Sequence, residues 1–376
     1  MENPSQEDII SIVNSMFQVS DFTKAEFSLE FRIEDKDFKS KFENLARKLV
    51  EINYLCKLEK MDDKNYIIIQ KFPSRKKRKL LSSSWVPRIL FVVVVVFVMI
   101  DGFYRTIGVN TIENIEIGDP GEMAIIYTVS LLGILGIHEL GHMIASKIHR
   151  LKTAWPYFIP GIPVFGLLPT FGALIIPKGP MINRKILFDV AIAGPIAGLV
   201  IAIIVSLYGA YTVPVIEPDV VQQLYAEDDL VKFSFGEPLF LKGSLSLFGK
   251  GGPDTEVILT PVLWAAWAGF FITSLNLLPA WHLDGGHMAR TFFGAKWHKY
   301  STYGSLILLV VIGFEFAALM IFFLSRRGLS AQILDDISPI SKNRKLAYLG
   351  IIALAVLCIP IPENICMPFY RDPCIF

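Results

Sequence analysis

The chain is expected to be an α-helical polytopic membrane protein of about six transmembrane helices, with a re-entrant Gly/Pro-rich hairpin and a small soluble α/β N-terminal domain. Composition speaks first: of 376 residues, 53% are hydrophobic and only 19% charged, with a mean hydropathy of +0.49. That is too apolar for a single soluble domain. Several uncharged runs also approach the length of about 20 residues that a helix needs to cross a hydrocarbon core. Finally, Arg75-Lys76-Lys77-Arg78-Lys79 comes just before the first such run, and a basic cluster there holds that end in the cytoplasm.

The formal charge of +1 argues against a nucleic-acid partner, because phosphate recognition needs a basic surface. The four cysteines, Cys56, Cys358, Cys366 and Cys374, lack the paired spacing of a zinc site and read as unpaired thiols. Residues 1–20 are polar and acidic, without the basic start and apolar core of a cleaved signal peptide.

Residues 1–72 read as the soluble α/β domain. Helices are expected at Gln6 to Phe17 and Asp37 to Ile52, the latter from the spacing of Phe38, Phe42, Leu45 and Leu49. Alternation at Glu26 to Ile33 puts Phe27, Leu29, Phe31 and Ile33 on one face of a strand. Two more strands, Tyr54 to Glu59 and Tyr66 to Lys71, flank an Asp62-Asp63-Lys64-Asn65 turn. Nothing here carries chemistry, so the domain reads as regulatory, with a partner of its own, or as a structural appendage. Residues 73–84 form a basic linker, and residues 85–376 the membrane-embedded part.

The first span is Trp85 to Tyr104, and the acidic balance of residues 101–122 suits the far side. Asp119-Pro120-Gly121-Glu122 opens the second span with an N-cap, a Pro at the first helical position and the acid of a capping box. Inside that span lies His138-Glu139-Leu140-Gly141-His142. On a helix the two imidazoles leave one face and can share one Zn²⁺, with Glu139 beside them to take a proton from water. Ionisable groups at membrane depth need such a reason. From Asp119 to His138 is about 28 Å of helix at about 1.5 Å per residue, which sets the site toward the cytoplasmic side.

Six prolines and four glycines between Trp155 and Pro180 exclude one straight helix. Irregular backbone at this depth must be covered by protein or line a cavity, so a re-entrant loop or short hairpin is expected. Leu174-Ile175-Ile176, after Phe171-Gly172-Ala173, can present a strand edge to an extended peptide, with Phe171, Gly172, Ala173 and Leu174 as the substrate-binding candidates; a loop lying at the interface is the alternative. The third span runs from Ile186 to Tyr211, with Gly194-Pro195 and Gly198 allowing close contact and a kink. Residues 212–256 carry eight acidic and three basic side chains, as an outside loop does, and their Leu239-Phe240-Leu241 and Leu245 to Phe248 are expected to rest on the bilayer surface.

The fourth span, Val257 to Leu278, ends in Asn276-Leu277-Leu278-Pro279-Ala280-Trp281-His282-Leu283-Asp284-Gly285-Gly286-His287. If the chain unwinds after Pro279, Asp284 reaches the depth of His138. It then supplies a third protein ligand and leaves a zinc position for water. Gly285 and Gly286 are expected to let the backbone approach the metal. His282 and His287 are expected to serve packing or hydrogen bonding, with competition for the metal as the lesser alternative. Spans five (Tyr303 to Leu324) and six (Leu346 to Ile361) return the C-terminus to the cytoplasm and put Glu315 in the bundle interior. That count also puts Arg326, Arg327, Lys342, Arg344 and Lys345 outside, against the usual charge bias, so either the early basic run overrides it or the count fails by one after Asp284.

The two motifs together, His138-Glu139-x-x-His142 and Asn276-x-x-Pro279-x-x-x-x-Asp284-Gly285, resemble the site-2 protease family of intramembrane zinc metalloproteases. The resemblance covers roughly Met123 to Met288, and Leu334-Asp335-Asp336-Ile337-Ser338-Pro339 is similar to the archaeal and plastid branch. It implies one Zn²⁺ on His138, His142 and Asp284, Glu139 as general base, and Asn276 near the reacting carbonyl. It also implies a hairpin around Gly172 that takes substrate by strand addition. The expected activity is cleavage of transmembrane segments of single-pass proteins in the lipid bilayer of a cell membrane, as in regulated intramembrane proteolysis, with the N-terminus cytoplasmic. The alternative is a catalytically silent scaffold acting through its N-terminal domain. A third reading, zinc transport, needs a continuous polar path that the first and sixth spans do not offer.

Overall fold

The computed structural model describes residues 5–35, 37–72, 85–112, 115–162, 168–175, 179–216, 236–252, 256–325 and 333–360. The N-terminal region opens with helix α1 (Gln6–Met16), where Ser5 and Asp8 cap each other reciprocally. Strands β1 (Val19–Lys24) and β2 (Ser28–Ile33), helix α2 (Lys39–Glu51) and the hairpin β3 (Tyr54–Met61) and β4 (Lys64–Lys71) follow. Ile9 and Val13 of α1 and Phe42, Leu45 and Leu49 of α2 are buried in one cluster with Phe31, Leu58, Ile67 and Ile69 of the sheet. The alternation of β2 holds for Leu29, Phe31 and Ile33, while Phe27 lies before the strand and is 82% exposed. The hairpin turn is tighter than expected: Asp62 and Asp63 alone make it, with φ of +45° and +64°, and Lys64 and Asn65 already pair with Met61 and Lys60.

This sheet does not end with the N-terminal region. Its order is β1-β2-β4-β3-β10-β7, where β7 (Met181–Asn183) and β10 (Ile333–Asp335) come from the membrane-embedded part. Both added strands are parallel: Asp335 pairs with Leu58, and Ile333 with Met181. The basic linker, residues 73–84, lies outside the described residues.

Among the described residues, three helices are long and apolar enough to cross a membrane: α3 (Val86–Asn110), α4 (Pro120–Ile148) and α5 (Arg184–Thr212). The start of α4 is capped as its sequence requires, with Asp119 Oδ1 accepting from the N–H groups of Gly121 and Glu122 at 2.8 and 3.0 Å. Asp101, counted in the acidic balance of residues 101–122, is within α3 and buried, held by Arg105 at 2.7 Å and the Tyr127 hydroxyl at 2.8 Å. Helices α4 and α5 pack closely through small residues, and a Cβ on Gly141 would come 2.5 Å from the Ala193 carbonyl. Such contact matters in lipid, where packing rather than water exclusion drives helix association.

Between α4 and α5, β5 (Tyr157–Pro160) and β6 (Thr170–Leu174) form an antiparallel hairpin, in which Gly172 has a φ of +88° that a side chain would resist. Helix α6 (Leu239–Leu247) does not simply rest on the bilayer. Leu241 and Leu245 are buried, and Ser244 bonds Ser206 of α5 at 2.8 Å. Strands β8 (Val215–Ile216) and β9 (Glu256–Val257) pair before α7 (Pro261–Leu277), so the fourth helix starts at Pro261, capped by Thr260.

The expected fifth span is broken. Helix α8 (Asp284–Val311) is interrupted at Gly294 and ends before Gly313, whose φ is +82°; α9 (Glu315–Ser325) then starts afresh. Glu315 therefore sits exposed in the first turn of a helix, where the macrodipole favours it, rather than inside a bundle. The chain then returns to the N-terminal sheet as β10, and α10 (Lys342–Cys358) begins at that same end of the bundle, with Arg344 paired to Asp189 of α5. Residues 284–325 are therefore not one continuous helix, and Lys342, Arg344 and Lys345 start α10 at the end of the bundle that carries the N-terminal sheet. Helix α10 runs from there toward α6 and α7, and residues 361–376, where the chain is expected to return to the cytoplasm, lie outside the described residues. Arg326 and Arg327 lie outside the described residues.

Candidate metal centre

Three donors meet between α4, α5 and the start of α8. His138 Nε2 and His142 Nε2 are 3.1 Å apart, and Asp284 Oδ2 lies 3.3 and 3.2 Å from them. A tetrahedral zinc ion about 2.0–2.1 Å from each donor spaces its ligands by about 3.3 Å, so the three present suit one such ion. The spacing of two His at i and i+4 puts both rings on the face of α4 that meets α5. His142 is oriented by its other nitrogen, because Nδ1–H donates to the Val190 carbonyl at 2.8 Å and leaves Nε2 free to ligate.

Two glycines of α5 make the room. A Cβ on Gly194 would fall 2.2 Å from His142 Nε2, and one on Gly198 would fall 3.0 Å from His138 Cβ. Gly194→Ala is therefore expected to displace the His142 ring and lower zinc affinity by about 10–100-fold, the usual scale for disturbing a ligand's support. Competition with a chromophoric chelator on detergent-purified protein measures it; an unchanged affinity would show that the ring has another place to go.

Glu139 is buried and lines the same cavity of about 180 Å³ as the three donors. Asn276, near the end of α7, is on its wall, as are Ala173 and Leu174 of β6. Phe171 points elsewhere, its ring 6.2 Å from that of Phe316 in α9. Asp284 reaches the cavity because α7 ends at Leu277 and α8 begins at Asp284 itself. Gly285 and Gly286 serve that turn rather than the metal, since a Cβ on either would meet the carbonyls of Leu277 or Ala280 at 2.0 and 2.4 Å. His282 is exposed at the cavity rim, its ring between those of Trp281 and His287, and it is not one of the three clustered donors. The Val190 carbonyl has no signature in sequence, because every residue offers one. Gly194 and Gly198 do, as a small-residue pair one turn apart, though the pair speaks for helix contact and not for a cradled imidazole.

The profile of peptidase family M50 matches residues 126–319, more than half of the chain. The chain belongs to peptidase family M50. Among named relatives, the probable zinc metalloprotease EGY2, chloroplastic, of Arabidopsis thaliana is 30% identical over 67% of this chain and 44% of its own length. The probable zinc metalloprotease EGY1, chloroplastic, of the same plant is 29% identical over 65% of this chain and 45% of its own. This M50 chain thus spans less than half the length of these relatives. No solved structure matches it. All three clustered donors lie within the matched residues.

Proposed function

We propose that this M50 chain is an intramembrane protease that uses one zinc ion to hydrolyse peptide bonds within transmembrane segments of single-pass membrane proteins. The observation that carries the reading is the set of three donors at tetrahedral spacing, sharing a cavity with Glu139 on a helix long enough to span the bilayer. His138, His142 and Asp284 would hold the ion. When bound, zinc lowers the pKa of a water toward about 7 and polarises the scissile carbonyl.

The rest is the work of the chain's own residues. Glu139, buried beside the donors, takes the proton of the attacking water on a carboxylate oxygen and delivers it to the leaving amine. Asn276 offers its amide N–H to the carbonyl oxygen as negative charge grows there. A substrate helix shields its peptide bonds, so it must unwind locally before attack. Ala173 and Leu174 stand on the cavity wall in β6, which pairs only with β5 among the described residues. An unwound segment adding to the free edge of β6 regains backbone hydrogen bonds there. In this reading the β5–β6 hairpin is the re-entrant element, Phe171 to Leu174 bind substrate, and the 1–72 domain faces the cytoplasm beneath a cell membrane.

The test is cleavage of a single-pass substrate by detergent-purified protein, before and after chelation, with zinc counted on the same sample. About one zinc per chain and cleavage that stops with chelator and returns with zinc are expected. A zinc-free protein that cleaves nothing would replace this reading by a silent scaffold.

A further inference from the structure

Asp336 follows β10 and accepts hydrogen bonds from two arginines on two helices. Its Oδ1 takes Arg184 Nε at 2.8 Å and Arg290 Nη1 at 3.0 Å, and its Oδ2 takes Arg290 Nη2 at 2.5 Å. Arg184 is the first residue of α5, six residues before Val190, whose carbonyl orients His142. Arg290 is buried in α8, six residues after Asp284. Six residues of helix are about 9 Å. One carboxylate therefore ties the helix that supports His142 to the helix that begins with the third donor, at similar distances from both.

The carboxylate is itself held. Asp335 Oδ1 accepts from the N–H groups of Ile337 and Ser338 at 3.2 and 3.0 Å, which fixes the turn around Asp336. Asp335 also pairs with Leu58 and Asn183 in the sheet. The N-terminal domain adds two further ties at this end: Glu43 Oε2 accepts from Asn183 Nδ2 at 3.2 Å, and Arg47 Nη1 donates to the His149 carbonyl at 3.1 Å. Burial alone would raise the Asp336 carboxyl, but Arg290 and Arg184 outweigh it and hold the carboxyl below the ordinary carboxylate range. The clamp stays ionised at neutral pH.

We propose that Asp336 is a positioning residue for the metal centre, holding α8 against α5 so that Asp284 stands at the two imidazoles, with the N-terminal sheet as its anchor. The planar fork of Arg290 fixes direction as well as distance, which a single contact does not. The inference rests on the zinc reading above and gives the N-terminal domain a structural role, that of backing the strand from which the clamp projects.

The experiment compares full-length wild type, Asp336→Asn and Asp336→Glu in detergent, measuring zinc affinity by chelator competition and the melting temperature of the zinc-free protein. Asp336→Asn is expected to weaken zinc binding by about 10–100-fold with the zinc-free melting temperature little changed, and Asp336→Glu to recover part of the loss. Zinc affinity within twofold of wild type for Asp336→Asn would overturn the proposal. So would a loss of affinity that follows the melting temperature alone. Should Asp336→Asn fail to fold, Arg184→Gln removes one arm and leaves the Arg290 fork; a several-fold loss of zinc affinity supports the clamp and none overturns it. Zinc binding that depends on Asp336 as expected, in a wild type that cleaves no transmembrane substrate, defeats the protease reading alone. Wild type that binds no zinc defeats both.

Discussion

Glu139→Gln is expected to lower cleavage by about 10²–10⁴-fold, the usual worth of a general base, while zinc stays at about one per chain. Gln keeps the shape of Glu and its polarity but has no basic oxygen to take the water proton. Glu139 is not among the three clustered donors, so the ion keeps all of its protein ligands. Because the side chain is buried in the cavity, a neutral amide is also no harder to house than a carboxylate. Single-turnover cleavage of a transmembrane substrate beside zinc analysis of the same preparation separates the two effects. Cleavage at the wild-type rate would remove Glu139 from the reaction.

Asp284→Ala is expected to act earlier, on the ion itself. Protein zinc sites with four ligands bind with about 10–16 kcal/mol, so one ligand accounts for roughly 2.5–4 kcal/mol of that. Its removal weakens binding by about 10²–10³-fold, and purified protein should lose most of its zinc and its cleavage together. Part of any fall in stability has another source, since Asp284 is also the acidic residue in the first turn of α8, worth about 0.3–1 kcal/mol against the helix dipole. The melting temperature of zinc-free Asp284→Ala beside that of zinc-free wild type gauges that contribution. Zinc retained at full content in the alanine variant would mean that His282 swings in from the cavity rim, and the donor set would have to be redrawn around it.

How much of the fold and the site is legible in sequence differs along the chain for physical reasons. Helix α2, strand β2 and the start of α4 each carry their own pattern: apolar spacing, alternation, or an Asp-Pro cap. The pairing of His138 with His142 is equally local, because the helix itself fixes it. The approach of Asp284 depends on a motif rather than on a period, and on two glycines whose packing against backbone carbonyls only the folded turn reveals. Strand β1 escapes notice because five of its six residues are exposed, leaving no alternation to see. Strands β7 and β10 have three residues each, too few for any pattern, and their partners lie more than a hundred residues away. The broken course of α8 and α9 is the costliest miss. Apolar residues on both sides of Gly313 read as one continuous span, and the expected fifth span is broken for that reason.

The composite sheet has a consequence for the order in which the molecule can be made. Strand β3 ends at Met61, yet its outer neighbour β10 begins at Ile333, so the ribosome must deliver most of the chain before that edge finds its partner. Until then the edge stays open, and a peptide capable of strand pairing could occupy it. Asp336 is made one residue after β10 ends, so the clamp closes only after α8 and α9 have been made. The nascent chain therefore acquires its two imidazoles and its glutamate long before it acquires the brace that aligns them, and the three donors are held together only once α4, α5 and α8 are all in place.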